Sequence, residues 1–171
     1  IKEALTEIEL IVDSTEQDIF RPKNDEKQKK YYSGKQKSHT LKNQIIITDN
    51  GKEIVDVIVG ERGPESDIIL FKKQQKKFDK EQRFQGDKGY QGGERIDTPK
   101  KKKRNHKMSY KVKKENQKKA QKRIFVEHVI RLIKIFKVAR ERFRLKESNY
   151  EKVILTICGL VRLRIGALML T

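Results

Sequence analysis

Apolar and polar positions follow different rhythms in successive parts of this chain. Ile8, Leu10 and Val12 alternate with Glu9 and Ile11, so residues 7–13 read as a half-buried strand that delivers Asp13 at its end. Ile45-Ile46-Ile47-Thr48, the turn Asp49-Asn50-Gly51 and the run from Ile54 to Val59 predict a hairpin. Asn-Gly suits the positive φ angles of a two-residue turn. Arg62-Gly63-Pro64 ends the second strand. Ser66 or Asp67 can cap a helix from Asp67 to Phe78, with Ile68, Leu70 and Phe71 on its apolar side. A short strand around Arg83 to Gln85 places Asp87 just beyond its end. Residues 115–143 read as one long helix whose stripe is Phe125, Val129, Leu132 and Phe136, and a second helix closes the chain. Residues 21–44, with Pro22 and Gly34, are polar and Lys-rich and read as a solvated excursion or a ragged strand pair. This order of strand, hairpin, helix, strand and helices is a mixed α/β pattern.

Length and charge narrow the picture. The 171 residues show no internal repeat and amount to one domain, 1–171, with a basic loop at about 99–115 inside it. Forty-two Lys and Arg stand against 24 Asp and Glu, a net charge of +18, which calls for a polyanionic partner. Nucleic acid comes first and an anionic membrane surface second. Thirteen of the cations fall between residues 99 and 123, where Glu115 is the one acid. Phosphate binding with release of counterions is the expected use of that block. One cysteine, Cys158, excludes a disulfide framework and a Cys-based zinc site, and is expected in the core. Val153 to Leu170 is apolar, but Arg162 and Arg164 would each cost roughly 2.5–3.5 kcal/mol at a bilayer centre. A buried core helix is the better reading.

Three acids stand out by context. Asp13 follows an apolar strand, Asp87 sits between Gly86 and the Lys88-Gly89 pair, and Glu127 lies in an otherwise apolar helical stretch. Gaps of 73 and 39 residues separate them. Phosphodiester chemistry needs an activated nucleophile and stabilised charge on the attacking and leaving oxygens, and a pair of Mg²⁺ ions provides both. Magnesium takes hard oxygen ligands and keeps several waters, so a few carboxylates suffice. Arg123, Glu127, Arg131 and Lys134 share one helical ridge. That ridge is equally a row of surface ion pairs or a metal-binding carboxylate flanked by phosphate-clamping cations. Tyr31, Tyr32 and Tyr90 are candidates for stacking on an unpaired base, with packing as the equal alternative. His39 is read as structural or solvated. His128 points about 100° away from Glu127 on a helix and is not assigned as a ligand.

Five ordered motifs carry a family resemblance: Asp13-Ser14-Thr15-Glu16-Gln17, Lys30-Tyr31-Tyr32-Ser33-Gly34-Lys35, His39-Thr40-Leu41-Lys42, Asp87-Lys88-Gly89-Tyr90-Gln91-Gly92, and Glu127-His128 with Arg131 and Lys134. From about residue 7 to about 165 the chain resembles the catalytic domain of bacterial insertion-sequence transposases of the DDE type. The resemblance implies an RNase H-like sheet flanked by α-helices. It implies Asp13, Asp87 and Glu127 as the catalytic, metal-binding acids, with Mg²⁺ as cofactor and Mn²⁺ as substitute. It further implies DNA strand cleavage and strand transfer on transposon ends and target DNA, a homodimer in the active complex, no membrane partner, and a cytoplasmic, nucleoid-associated location. Lys88, Arg123, Arg131 and Lys134 become candidate DNA contacts. In the family pattern Tyr-x2-Arg-x3-Glu-x6-Lys, Arg123, Glu127 and Lys134 match, but Ala120 stands at the tyrosine position. Ser66 precedes Asp67 where relatives often carry His-Asp, and a supporting role at most is expected there. Such enzymes usually carry an N-terminal DNA-binding domain, for which there is no room before Asp13. The chain is therefore expected to be the catalytic part of a longer protein or a truncated, catalytically idle remnant that binds DNA through its charge. A ribosomal or RNA-coating protein would account for the charge but not for the acids.

Overall fold

The strand that carries Asp13 is the middle of the sheet. In the computed structural model, which describes residues 5–102 and 107–167, β1 (Leu10–Asp18) pairs antiparallel with β3 (Ser38–Ile47) along most of its length and parallel with β5 (Phe84–Gln85) at Leu10 and Ile11. On one side β4 (Ile54–Arg62) and the two-residue β2 (Tyr32–Ser33) both pair antiparallel with β3. On the other, β6 (Ile96–Asp97) pairs parallel with β5. An antiparallel meander that continues into parallel strands, with helices on both faces, is an α/β architecture of the RNase H-like type.

Alternation along the central strands builds both layers. Ile11, Ile45 and Ile47 pack against Val126, Val129 and Ile133 of α3 (Tyr110–Lys134) and Ile154, Ile157 and Val161 of α5 (Tyr150–Ala167). Leu10, Val12 and Ile46 face the opposite side and meet Phe71 of α2 (Asp67–Gln74), Phe84 and Tyr90. Three consecutive isoleucines are therefore all buried, as expected for a strand covered on both faces.

Several expected boundaries move. β1 does not end at Asp13; it runs five residues further, because its polar half is satisfied by β3. Thr40 Oγ1 donates to Glu16 at 2.7 Å and Ser38 Oγ to Asp18 at 2.7 Å. The stretch 21–44 is more ordered than its composition suggests. It holds α1 (Asp25–Tyr31), capped by the Asn24 side chain on the Lys27 amide, and then β2 and most of β3. The hairpin connection spans residues 48–53 and is not a two-residue turn: Gly51 alone has positive φ, at 70°, and Asn50 accepts from the Lys52 amide. A Cβ at Gly51 would also meet the Phe125 side chain at 3.0 Å. The long helix starts at Tyr110, where Ser109 caps the Val112 amide, and stops at Lys134. A short α4 (Lys137–Arg140) follows the break at Phe136.

The apolar stripe of α3 is also rotated from the expected one. Val126, Val129 and Ile133 are buried, whereas Phe125 is 43% exposed. The basic loop falls partly on residues 103–106, which lie outside the described residues; its last part, from Tyr110, is helix. α5 buries one face, Cys158 included, and leaves Leu155, Leu160 and Leu163 exposed on the other. It is thus an amphipathic core-covering helix and not a wholly buried one. Among the described residues no helix is long and apolar enough to cross a membrane.

Candidate active site

Asp13 sits mid-strand on β1, on the sheet face covered by α3, where apolar neighbours and the helix strip it of water. Burial pushes its carboxyl up from 3.8 to about 6, the Ser14 amide donating at 2.8 Å and the Arg123 guanidinium opposing that rise. The Asp87 and Asp67 carboxylates push it further in the same direction. Three acids thus feel one another at this point of the sheet, with Arg123 and Lys134 of α3 facing the same group.

Asp87 arrives by a different route. β5 ends at Gln85, and Asp87 caps a single 3-10 turn over Lys88–Tyr90 by accepting from the Gly89 amide at 2.6 Å. Tyr90 anchors that turn: its ring is fully buried against Phe71, centroids 6.0 Å apart and edge to face. Burial first, then the Asp13 charge, holds the Tyr90 hydroxyl well above its ordinary value. It remains the neutral phenol at any working pH. Of the two readings open for Tyr90, stacking on a base or packing, packing holds, because no face of the ring reaches solvent.

Asp67 is the first residue of α2. Its Oδ1 accepts from Ser14 Oγ at 2.7 Å and from Lys42 Nζ at 2.9 Å. A Cβ at Gly89 would lie 2.9 Å from Asp87 Oδ1 and 3.2 Å from Asp67 Oδ2, so these two carboxylates flank one glycine. Any side chain at position 89 would separate them. Lys42 is itself nearly buried and also donates to the Glu65 carbonyl at 2.6 Å, with Glu16 4.0 Å away. A polar cleft of about 190 Å³ opens beside this group, lined by Ser14, Glu16, Lys35, Lys42, Asp67 and Lys134.

Glu127 is placed differently. Its side chain is 52% exposed and pairs with Arg123 one turn earlier, Nη2 to Oε1 at 3.4 Å. It has a partner and faces water, so the apolar surroundings read from the sequence do not hold for it. Arg123 bridges the two parts of the site: it is 22% exposed, acts on Asp13, contacts Glu127, and keeps a buried Nε without a hydrogen-bond partner. Lys134 is half-buried, and burial lowers its ammonium while Asp13 raises it. Lys88 and Arg131 are exposed. Among the described residues no three acids, histidines or cysteines are close enough together to hold a metal ion. Asp13 and Asp87 carry hard oxygens of the kind Mg²⁺ takes, and burial together with neighbouring carboxylates disfavours the Asp13 anion.

Sequence reading undervalued Asp67 and passed over Lys42 and Lys35. The Ser66-Asp67 pair did carry a signal, a carboxylate at the start of a helix after a Gly-Pro break. Ser66 is the N-cap but makes no side-chain hydrogen bond there, leaving Asp67 turned to Ser14 and Lys42. Tyr32 and His39 prove to be a cross-strand pair, ring centroids 5.5 Å apart, which gives His39 the structural role. Cys158 is buried, and burial pushes its thiol up to about 11.

This arrangement has a family. The chain matches the model of the DDE superfamily endonucleases over residues 12–162, and it belongs to that family. It is also 37% identical over 145 residues to a probable transposase for insertion sequence element IS702 of Microchaete diplosiphon, covering 82% of this chain and 51% of that protein. The chain therefore spans about half the length of that relative. No solved structure matches.

The raised carboxyl of Asp13 gives the site a pH signature. Binding a divalent cation requires the anion, so loading below pH 6 releases a proton. Manganese affinity is expected to rise about tenfold per pH unit up to about pH 6 and then level off, as measured by calorimetry between pH 5 and 8. A flat profile over that range would mean that Asp13 does not meet the ion.

Proposed function

We propose that this chain is the catalytic domain of an insertion-sequence transposase that nicks DNA at a transposon end and joins the freed 3′ hydroxyl to target DNA. Asp13, Asp87 and Glu127 are the metal-binding acids in this reading, with Mg²⁺ or Mn²⁺ as the ion. When bound, the ion supplies an activated water and charge stabilisation at the scissile phosphate. The observation that supports the reading is the buried Asp13 carboxyl, raised further by the Asp87 and Asp67 charges and acted on by Arg123 and Lys134.

The chain's own residues take the remaining tasks. Arg123, freed from Glu127 by the incoming substrate, and Lys134 hold the phosphates on either side of the cut. Lys88 and Arg131, both exposed, extend the contact to the backbone of the flanking DNA. Asp67 holds Ser14 and Lys42, and so fixes the β1 backbone on which Asp13 stands. In the assembled complex two copies act together on paired ends. The catalytically idle, DNA-binding remnant is the second reading, favoured by one observation: Glu127 is already paired with Arg123 and faces solvent.

A Mn²⁺ titration with plasmid nicking followed in the same samples separates the two. Wild type is expected to bind and nick, and Asp87→Asn to lose both. Binding without nicking in the wild type would establish the remnant. Equal binding in wild type and variant would remove the carboxylate centre from the account.

A further inference from the structure

Beyond the acids, the same sheet face leads to a second built feature. Ile19, which follows β1, lies on the Asp13 face of the strand, six residues on, or about 20 Å at roughly 3.3 Å per residue. Around it is a half-open cavity of about 420 Å³. Its apolar lining comes from Ile19, Phe20, Tyr31, Leu41, Phe143 and Leu145. Arg21, whose Nε donates to Gln28 at 2.8 Å, Lys23 and Lys27 line it as well, with Glu147 the acid among them.

The cavity is held open by the backbone. Ile19 N donates to the His39 carbonyl at 2.9 Å, and Phe143 N donates to the Asp18 carbonyl at 2.8 Å. A parallel bridge joins Ile19 to Phe143. Phe143 is locked in turn by Tyr150, rings edge to face at 4.8 Å. Phe20, by contrast, is 57% exposed, with the Arg142 guanidinium 5.5 Å from its ring centre. An exposed aromatic beside a fixed apolar floor, ringed by cations, on a chain of +18, selects a flat apolar ligand that carries negative charge.

We propose that this cavity takes one unpaired nucleotide of the bound DNA, its base packed between Phe20 and the Tyr31–Phe143 floor and its phosphate on Arg21, Lys23 and Lys27. The distance from Asp13 corresponds to about six base steps at roughly 3.4 Å each, so one strand can reach both places. Base–aromatic contact is tolerant of sequence because every base offers a π face, so the pocket reads unpairing and not base identity. The inference shares the DNA partner of the proposed function but needs neither the acids nor an ion.

The test is run in chelator, so that no cleavage occurs. Fluorescence anisotropy compares a labelled single strand with its fully paired duplex, on wild type, Phe20→Ala and Phe20→Trp. Phe20→Ala is expected to weaken the single strand about tenfold and the duplex less than twofold, and Phe20→Trp to retain single-strand affinity. Thermal unfolding of the three proteins should coincide, since the ring is more than half exposed. No loss for the single strand, as expected if the cavity seats a stretch of polypeptide, would overturn the proposal. So would equal loss for both DNAs. If wild type binds neither DNA, the proposed function falls along with the pocket; if it binds both and Phe20→Ala changes nothing, only the pocket falls.

Discussion

Asparagine in place of Asp13 is expected to abolish metal-dependent nicking and, at the same time, to make the metal-free protein more stable. The two effects share one cause. Asp13 is an anion in a desolvated place, with its carboxyl raised from 3.8 to about 6 and two further carboxylates close by. A carboxyl whose folded value lies above its unfolded one holds its proton more tightly in the folded state. Its contribution to stability is complete below about pH 4 and is lost as pH rises through 6. At pH 7 the ionised group opposes folding by about 3 kcal/mol, which the neutral, isosteric amide relieves. The amide also keeps the oxygen that accepts from Ser14. With Asp13 as a ligand, as proposed, loss of activity should exceed the roughly 10- to 100-fold that removing a group supporting a metal ligand costs. Urea unfolding at pH 5 and pH 7 in chelator, beside plasmid nicking in Mn²⁺, checks both halves. An Asp13→Asn protein that nicks, or that gains no stability at pH 7, would remove Asp13 from the centre.

How much of this was legible in the sequence differs between elements for physical reasons. Runs in which local and tertiary forces agree were readable: Ile45 to Ile47, Ile54 to Val59 and Phe84-Gln85 are strands because β-branched or aromatic side chains meet a buried sheet there. Polar strand was not readable. Ser14 to Asp18 pairs with Thr40 to Gln44 through side-chain and ladder hydrogen bonds that only the partner strand supplies, and Gln17 is buried by donating to the Val138 and Glu141 carbonyls. Composition therefore pointed to a strand ending at Asp13, and to a solvated excursion or a ragged strand pair over 21–44, where α1 and the β2–β3 pair form.

The long helix shows a different limit. Its periodicity reads as one stripe, Phe125, Val129, Leu132 and Phe136, whereas the buried face is Val126, Val129 and Ile133. Val126 is buried in the core with Ile11, Ile45 and Ile47, while Phe125 lies over Gly51 and is partly exposed. The one-position rotation also moves Glu127 outward. Asp67 was underrated for a related reason. Its partners lie 53 residues away at Ser14 and 25 away at Lys42, distances that no local pattern encodes.

Removing the Tyr90 ring is expected to do more damage than removing any single acid, because Tyr90 joins the core to the site. Its ring fills the second apolar cluster with Phe71, Phe84, Leu10 and Val12, and it is the last residue of the turn that Asp87 caps. Tyr90→Ala should lower unfolding free energy by about 3–5 kcal/mol, the range for a buried aromatic cut back to alanine. That is a large share of the roughly 5–15 kcal/mol available to a domain. In whatever fraction remains folded, the Asp87 turn loses the packing that sets it beside Asp67. Tyr90→Phe separates these effects. It keeps the ring against Phe71 and removes only the hydroxyl, which lies 3.3 Å from the Gln44 amide and is surrounded by carboxylates. The phenylalanine variant should unfold within about 1.5 kcal/mol of wild type, the scale of one hydrogen bond, and bind Mn²⁺ as wild type does. Denaturant unfolding of the three proteins with Mn²⁺ calorimetry alongside provides the comparison. If Tyr90→Ala unfolds with wild-type stability, the turn is not held by its ring. If Tyr90→Phe loses the metal while keeping its stability, the hydroxyl belongs to the chemistry and not to the scaffold.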